Sequence, residues 1–171
     1  VEMGHKIPTD ILEELKKHMY PDTVEIGLYK MKKGNFKGGE KPELDVSVWD
    51  DFRSGDRWGE KNTHYWFRTK ITIPEIFKGK TVIYRVETGR EGQWDALNPQ
   101  FFIYVNDKLI QGLDVNHREI EITDSAVPGK TYTIALYAYT GMLDGSIALN
   151  SHLLTLDKDI EKLYYNIKVP L

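Results

Sequence analysis

The chain has 171 residues, of which 40% are hydrophobic and 29% charged, proportions that fit one globular domain with a hydrophobic core of its own. Its net charge of -3, with both signs scattered, excludes a nucleic-acid surface, which needs a concentrated basic face. With no cysteine, disulfides and thiolate metal sites are excluded, and no run approaches the roughly 18 apolar residues of a membrane span.

Pro8 to Tyr20 reads as one helix. Asp10 followed by Glu13 forms a capping box, and Ile11, Leu15 and Met19 recur every four residues as an apolar stripe. Pro21 ends it. From there to about Leu156 the pattern is β-type. Period-two alternation predicts strands over Val24-Ile26-Leu28, Leu44-Val46-Val48, Phe67-Thr69-Ile71-Ile73 and Tyr132-Ile134-Leu136-Ala138. Further strands are expected over Thr81–Thr88, Phe101–Val105, Leu109–Leu113, Glu119–Thr123 and Ser146–Leu156. Turn residues separate them: Gly34-Asn35, Gly38-Gly39, Lys78-Gly79-Lys80, Asn106-Asp107, Pro128-Gly129 and Asp144-Gly145. After Asp157, Ile160, Leu163, Tyr164 and Ile167 take the spacing of one helix face. The expected fold is all-β, an antiparallel β-sandwich or jelly roll with a short N-terminal helix and the start of a C-terminal one. The domain expectation is a helical segment over 1–22, the sandwich over 23–157, and at 158–171 the start of a linker to a missing catalytic domain. The N-terminal residue Val1 and the stop at Leu171 read as the ends of an excised piece.

Three constellations bear on chemistry. Trp49, Trp58, Trp66 and Trp94 lie in or beside loops, with Tyr65, Phe52, Asp50, Asp51, Asp56 and Arg57 nearby. Flat rings stack on the C–H face of a pyranose while amides and carboxylates take its hydroxyls; the same rings also fill cores and interfaces. Alternation sends Trp66 and Phe67 to opposite faces, so one is core and the other must cover something. The second constellation is Asp114, Asn116, His117, Arg118 and Glu119. Carboxylate and imidazole are zinc ligands, but three residues within one short segment rarely converge on a point, and a hydrogen-bonded loop is the competing reading. The third is Glu87 with Glu91, a carboxylate pair of the kind glycosidases hold about 5–9 Å apart. The serines lie in no nucleophile-elbow pattern, and the glycines match no phosphate-cradling spacing.

Several motifs occur in one order: Trp58-Gly59; His64-Tyr65-Trp66-Phe67-Arg68 leading to Ile73-Pro74; Gly79-Lys80; Gln111-Gly112-Leu113-Asp114; Asn116-His117-Arg118-Glu119; Pro128-Gly129-Lys130; Tyr139-Thr140-Gly141; and Leu163-Tyr164-Tyr165. Over roughly residues 23 to 168 this order resembles the N-terminal β-sandwich domain of glycoside hydrolase family 38 α-mannosidases. The resemblance implies a parent enzyme that removes terminal α-linked mannose with retention, using zinc in a separate catalytic domain. It implies no catalytic residue and no cofactor in this chain. The implied partner is the parent's catalytic domain, with mannose-containing sugars and a homo-oligomeric parent as further expectations. No nucleic acid or membrane is expected, and the location is cytoplasmic. Trp58, Trp66, Trp94, Asp114, Asn116, His117 and Arg118 are the expected interdomain or sugar-rim residues. An autonomous carbohydrate-binding module is the alternative.

Overall fold

A computed structural model describes residues 9–34, 49–88, 100–113, 119–141 and 147–168. The expected helix and the β-rich middle are both present. In chain order the strands are β1 (Thr23–Ile26), β2 (Leu28–Lys33), β3 (Asp50–Arg53), β4 (Arg57–Trp58), β5 (His64–Thr72), β6 (Thr81–Glu87), β7 (Gln100–Val105), β8 (Lys108–Leu113), β9 (Glu119–Thr123), β10 (Thr131–Tyr139), β11 (Ile147–Ala148) and β12 (Asn150–Leu156). Helix α1 (Thr9–Met19) precedes them and helix α2 (Lys158–Lys168) follows. A four-stranded sheet runs β1-β12-β6-β9, and a six-stranded sheet runs β3-β2-β5-β10-β7-β8. Among the described residues every ladder is antiparallel, and a small β4–β11 pair sits beside them. The antiparallel sandwich expected from the alternation is the fold.

The two sheets close on one apolar core. Phe67, Ile71, Ile103, Ile134 and Leu136 come from the larger sheet, and Val82, Tyr84, Val86 and Leu153 from the smaller. Alternation explains the division, because residues two apart share a face. At about 25 cal/mol per Å2 of apolar surface, each fully buried side chain of this size contributes roughly 1.5–3 kcal/mol.

Two predicted strands prove to be pairs. Val24-Ile26-Leu28 is divided at Gly27: β1 pairs with β12 in one sheet, and β2 pairs with β3 and β5 in the other. Periodicity cannot show this, since the chain changes sheets without losing its extended pattern. Ser146–Leu156 is likewise divided, into β11 and β12, at Leu149. The short strands β3 and β4 have too little alternation to stand out. The predicted strand Leu44-Val46-Val48 lies outside the described residues.

The helices cover the outer face of the smaller sheet. Met19, Tyr164, Ile83 and Leu156 are buried together, with Leu12, Leu15, Tyr20 and Ile160 packed around them. The α1 stripe is therefore Leu12, Leu15 and Met19, while Ile11 is 47% exposed. The helix begins at Thr9, which puts Asp10 in its first turn rather than at the cap. There an acid still favours the helix through the positive end of its dipole. Asp157 caps α2, its Oδ1 accepting from the Asp159 and Ile160 amides at 3.0 and 3.1 Å. Ile160 and Tyr164 find their partner within the chain, in α1 and the sheet, and Leu163 points outward. Among the described residues, no helix is long and apolar enough to cross a membrane.

The Asn106-Asp107 turn joins β7 to β8 with φ of 49° and 68°, the positive pair that a two-residue hairpin loop of type I′ requires. Asn106 also accepts from the Thr133 amide at 2.9 Å through Oδ1, tying the turn to β10.

Candidate functional site

The outer face of the six-stranded sheet carries rings where a plain sandwich carries polar side chains. Phe67 faces the core with no exposure, so its neighbour Trp66 lies on the opposite face, as alternation predicts. Trp66 is only 2% exposed there, packed with Trp49, Ala135, Tyr137 and Tyr104, so the expected interdomain or sugar-rim position is corrected to one covered within this chain. Register sets the line of rings: Trp66 sits opposite Tyr137, His64 opposite Tyr139, and Arg68 opposite Ala135. Tyr139 stacks on His64 at 4.6 Å, His64 on Tyr137 at 5.2 Å, Tyr137 leans on Trp66 at 4.8 Å, and Trp66 on Tyr104 at 5.5 Å. Five rings thus run across three strands. Phe102, opposite Tyr137 on β7, extends the same face and is 46% exposed. Gln100 is exposed beside Tyr139, whose hydroxyl donates to Asn62 Oδ1 at 3.2 Å.

Burial has an electrostatic consequence. Desolvation holds the His64 imidazole below its ordinary pKa of 6.5. Burial also raises the Tyr137 hydroxyl, with Tyr104 adding to the effect. Trp49 Nε1 and His64 Nδ1 are buried without a hydrogen-bond partner among the described residues. Of these rings only Trp66 is among the expected site residues; His64 and Tyr139 stand only in the ordered motifs, and Tyr104 and Tyr137 in neither. The available signal was the aromatic content of even positions on β5 and odd positions on β10, which only the register turns into one line.

Trp58 belongs elsewhere. It is 4% exposed in the sandwich core, edge-on to Tyr65, Phe67 and Phe101 at 5.1, 5.0 and 5.8 Å, and its Nε1 donates to the Ala148 carbonyl at 3.3 Å. A ring held this way presents no face to a sugar, so the expected rim position is corrected to a core one. Trp94, Asp114, Asn116, His117, Arg118 and Glu91 lie outside the described residues.

Glu119, the acid that follows Arg118 in the sequence, has a structural task. It pairs with Arg85 at 2.5 Å and accepts from the Tyr20 hydroxyl at 3.2 Å, while the Arg85 guanidinium lies over the Tyr20 ring at 4.6 Å. Burial, then the charge of Glu119, pushes Tyr20 up to about 12. Among the described residues, no three His, Asp or Glu side chains are grouped to hold a metal.

Inside the core a polar link joins the sheets. The Tyr29 hydroxyl lies 2.7 Å from the Tyr84 hydroxyl and 2.6 Å from Ser151 Oγ. Desolvation raises Tyr29 to about 12 and Tyr84 well above its ordinary value, so both stay protonated at neutral pH. Hydroxyls so held serve as cross-links between sheets. A cleft of about 650 Å3 opens beside this link, between β1 and β5, with Val24, Ile26, Leu28, Ile71 and Leu153 among its lining.

The sandwich has counterparts among solved structures. It is similar to part of a glycosyl hydrolase family 2 member from Bacteroides cellulosilyticus DSM 14838, at 20% identity and a TM-score of 0.53, covering 78% of this chain and 20% of that one. A β-glucuronidase from an uncultured Clostridium species matches at 16% identity and a TM-score of 0.52, over 80% of this chain and 29% of its own. A β-glucuronidase from Bacteroides uniformis matches at 20% identity and 0.55, over 78% and 18%. At these identities the likeness is one of fold. The chain spans between about a fifth and three tenths of those proteins' length. No protein-family profile matches the sequence, and no curated protein matches it either. One of these is a glycosyl hydrolase family 2 member and two are β-glucuronidases; what they share with this chain is the sandwich fold, and none of the three is a family 38 α-mannosidase.

Proposed function

We propose that this chain is a non-catalytic sandwich domain of a larger glycoside hydrolase, and that the exposed part of its outer sheet face, around Phe102, packs against the rest of that enzyme. The observation that carries the reading is the shared fold, which in the matched hydrolases occupies one stretch of a much longer chain. Among the described residues, Ser151, Glu119 and Trp58 each have a structural task, in the core link, the Arg85 pair and the core. The proposed partner is the parent's catalytic domain, in a cytoplasmic, homo-oligomeric enzyme.

The parent's linkage has two candidate answers. The ordered motifs favour terminal α-mannose, with zinc in the catalytic part; the matched structures favour a family 2 enzyme, β-glucuronidases among them. A panel of aryl glycosides offered to the full-length parent separates them. Turnover of the α-mannoside that a chelator abolishes selects the first, and chelator-insensitive turnover of a β-glucuronide selects the second. The isolated chain should hydrolyse neither; appreciable turnover by it defeats the non-catalytic assignment.

Exposed Phe102, with Gln100 and Tyr139 beside it, favours a second reading as an autonomous sugar-binding module. Calorimetric titration with mannose and mannobiose tests it. Binding lost in Phe102→Ala supports the module, and no heat at high ligand concentration removes it. Trp58→Ala is the wrong variant here, because it empties the core.

A further inference from the structure

The cleft between β1 and β5 has the geometry of an unfinished sheet. β2 pairs with β5 only from Lys30 opposite Arg68 to Lys33 opposite Tyr65. Continuing that register would set Leu28 opposite Lys70. Instead the chain turns away at Gly27 to enter the other sheet, and the Leu28 carbonyl accepts from Thr69 Oγ1 at 2.8 Å. The direction of the main-chain groups follows from two flanking bonds. Gly34 N donates to the His64 carbonyl at 3.0 Å on the β2 side, and Ile73 N donates to the Lys130 carbonyl at 2.9 Å on the β10 side. Alternation then turns even-numbered residues of β5 toward β2 and odd-numbered ones toward β10. The Lys70 carbonyl and both main-chain groups of Thr72 therefore aim into the cleft, where no described strand pairs with them. The opposite wall is β1, an edge strand of the smaller sheet.

We propose that this cleft accepts an extended segment of polypeptide from the neighbouring domain of the same larger enzyme, added as a strand along β5 beyond Arg68. The inference rests on the functional reading above and names a second surface, apart from the outer sheet face, through which the two domains meet. Free ladder groups supply main-chain bonds to an added strand, and pockets between them take its alternate side chains. Val24, Ile26, Leu28, Ile71 and Leu153 provide the apolar lining, with Val24 and Leu28 left exposed. A second copy fits poorly. A two-fold pairing of β5 with β5 would gather Lys70 of both copies on one face, Arg68 being already paired with Asp107 at 3.6 Å. A neighbouring domain carries no such penalty, and the matched hydrolases have several times this length of chain to supply it.

The test is amide exchange at Thr72, read in the isolated chain and in the full-length parent. Exchange is expected to slow by at least about 100-fold in the parent, as an exposed edge amide enters a stable ladder. Val24→Glu in the parent should restore fast exchange while leaving the melting temperature of the isolated chain nearly unchanged, because Val24 is exposed. Equal rates in chain and parent overturn the inference and leave the domain reading standing. Slow exchange already present in the isolated chain also overturns it, and concentration dependence of that slowing would identify a second copy. A natural reading frame with no further domain removes the functional reading itself, and the occupant with it.

Discussion

Tyr29→Phe probes the link that fastens one sheet to the other. The substitution keeps the ring and deletes one hydroxyl, which lies 2.7 Å from Tyr84 and 2.6 Å from Ser151 in a fully buried setting. Two hydrogen bonds at about 1 kcal/mol each are lost, and two buried hydroxyls are left to find other partners at a further cost of order 1 kcal/mol. The expected loss is about 2–3 kcal/mol. With a urea slope of about 2 kcal/mol/M, this lowers the unfolding midpoint by roughly 1–1.5 M. The informative comparison is the triple variant Tyr29→Phe, Tyr84→Phe, Ser151→Ala. Removing every member leaves no orphaned group, so its loss should fall well short of the sum of the three single losses. Urea unfolding followed by tryptophan fluorescence measures all four variants. A Tyr29→Phe midpoint within 0.2 M (roughly the fitting error) of the parent chain, or a triple variant that is fully additive, refutes the argument that the hydroxyls act as one unit.

Other consequences are as direct. Phe67→Ala removes a side chain with no exposure that meets Phe52 and Trp58 at 5.2 and 5.0 Å, so it should cost about 3–5 kcal/mol in the same assay. Asp107 sits at φ 68°, where a β-branched residue is strained; Asp107→Val should be about 1–2 kcal/mol less stable than Asp107→Gly. His64 binds its proton less readily folded than unfolded, because burial lowers its pKa. Its contribution is therefore whole above the unfolded value of 6.5 and declines as pH falls below it, the unfolded chain taking up the proton first. Thermal melts from pH 7 to about 5 should show a smaller decline for His64→Phe than for the parent chain, and parallel declines would exclude His64 as a source. Asp22, lowered chiefly by its hydrogen bond from Lys80, adds its own loss only at lower pH, as the carboxylate protonates, so the two windows separate.

The sequence was sufficient for whatever depends on near neighbours along the chain. Alternation in Tyr132–Ala138 and Phe67–Ile73 fixes which side of each strand is apolar, and the Asn106-Asp107 pair fixes a hairpin, because strand pleat and turn dihedrals are set within a few residues. It also established that Trp66 and Phe67 part company, since adjacent strand residues must. Pairing between distant strands was decided only by the fold. That Gly27 is where the chain changes sheets, that His64 and Tyr139 meet Tyr137 and Trp66 in one line of rings, and that Trp58 goes inward all follow from registers between segments tens of residues apart. The same holds for Ile11, which keeps the spacing of the α1 stripe yet stays exposed because α2 and the sheet meet the adjoining face. Periodicity gives the side of an element that seeks cover. Which surface answers it is settled by the whole chain packing at once, and no local pattern encodes that choice.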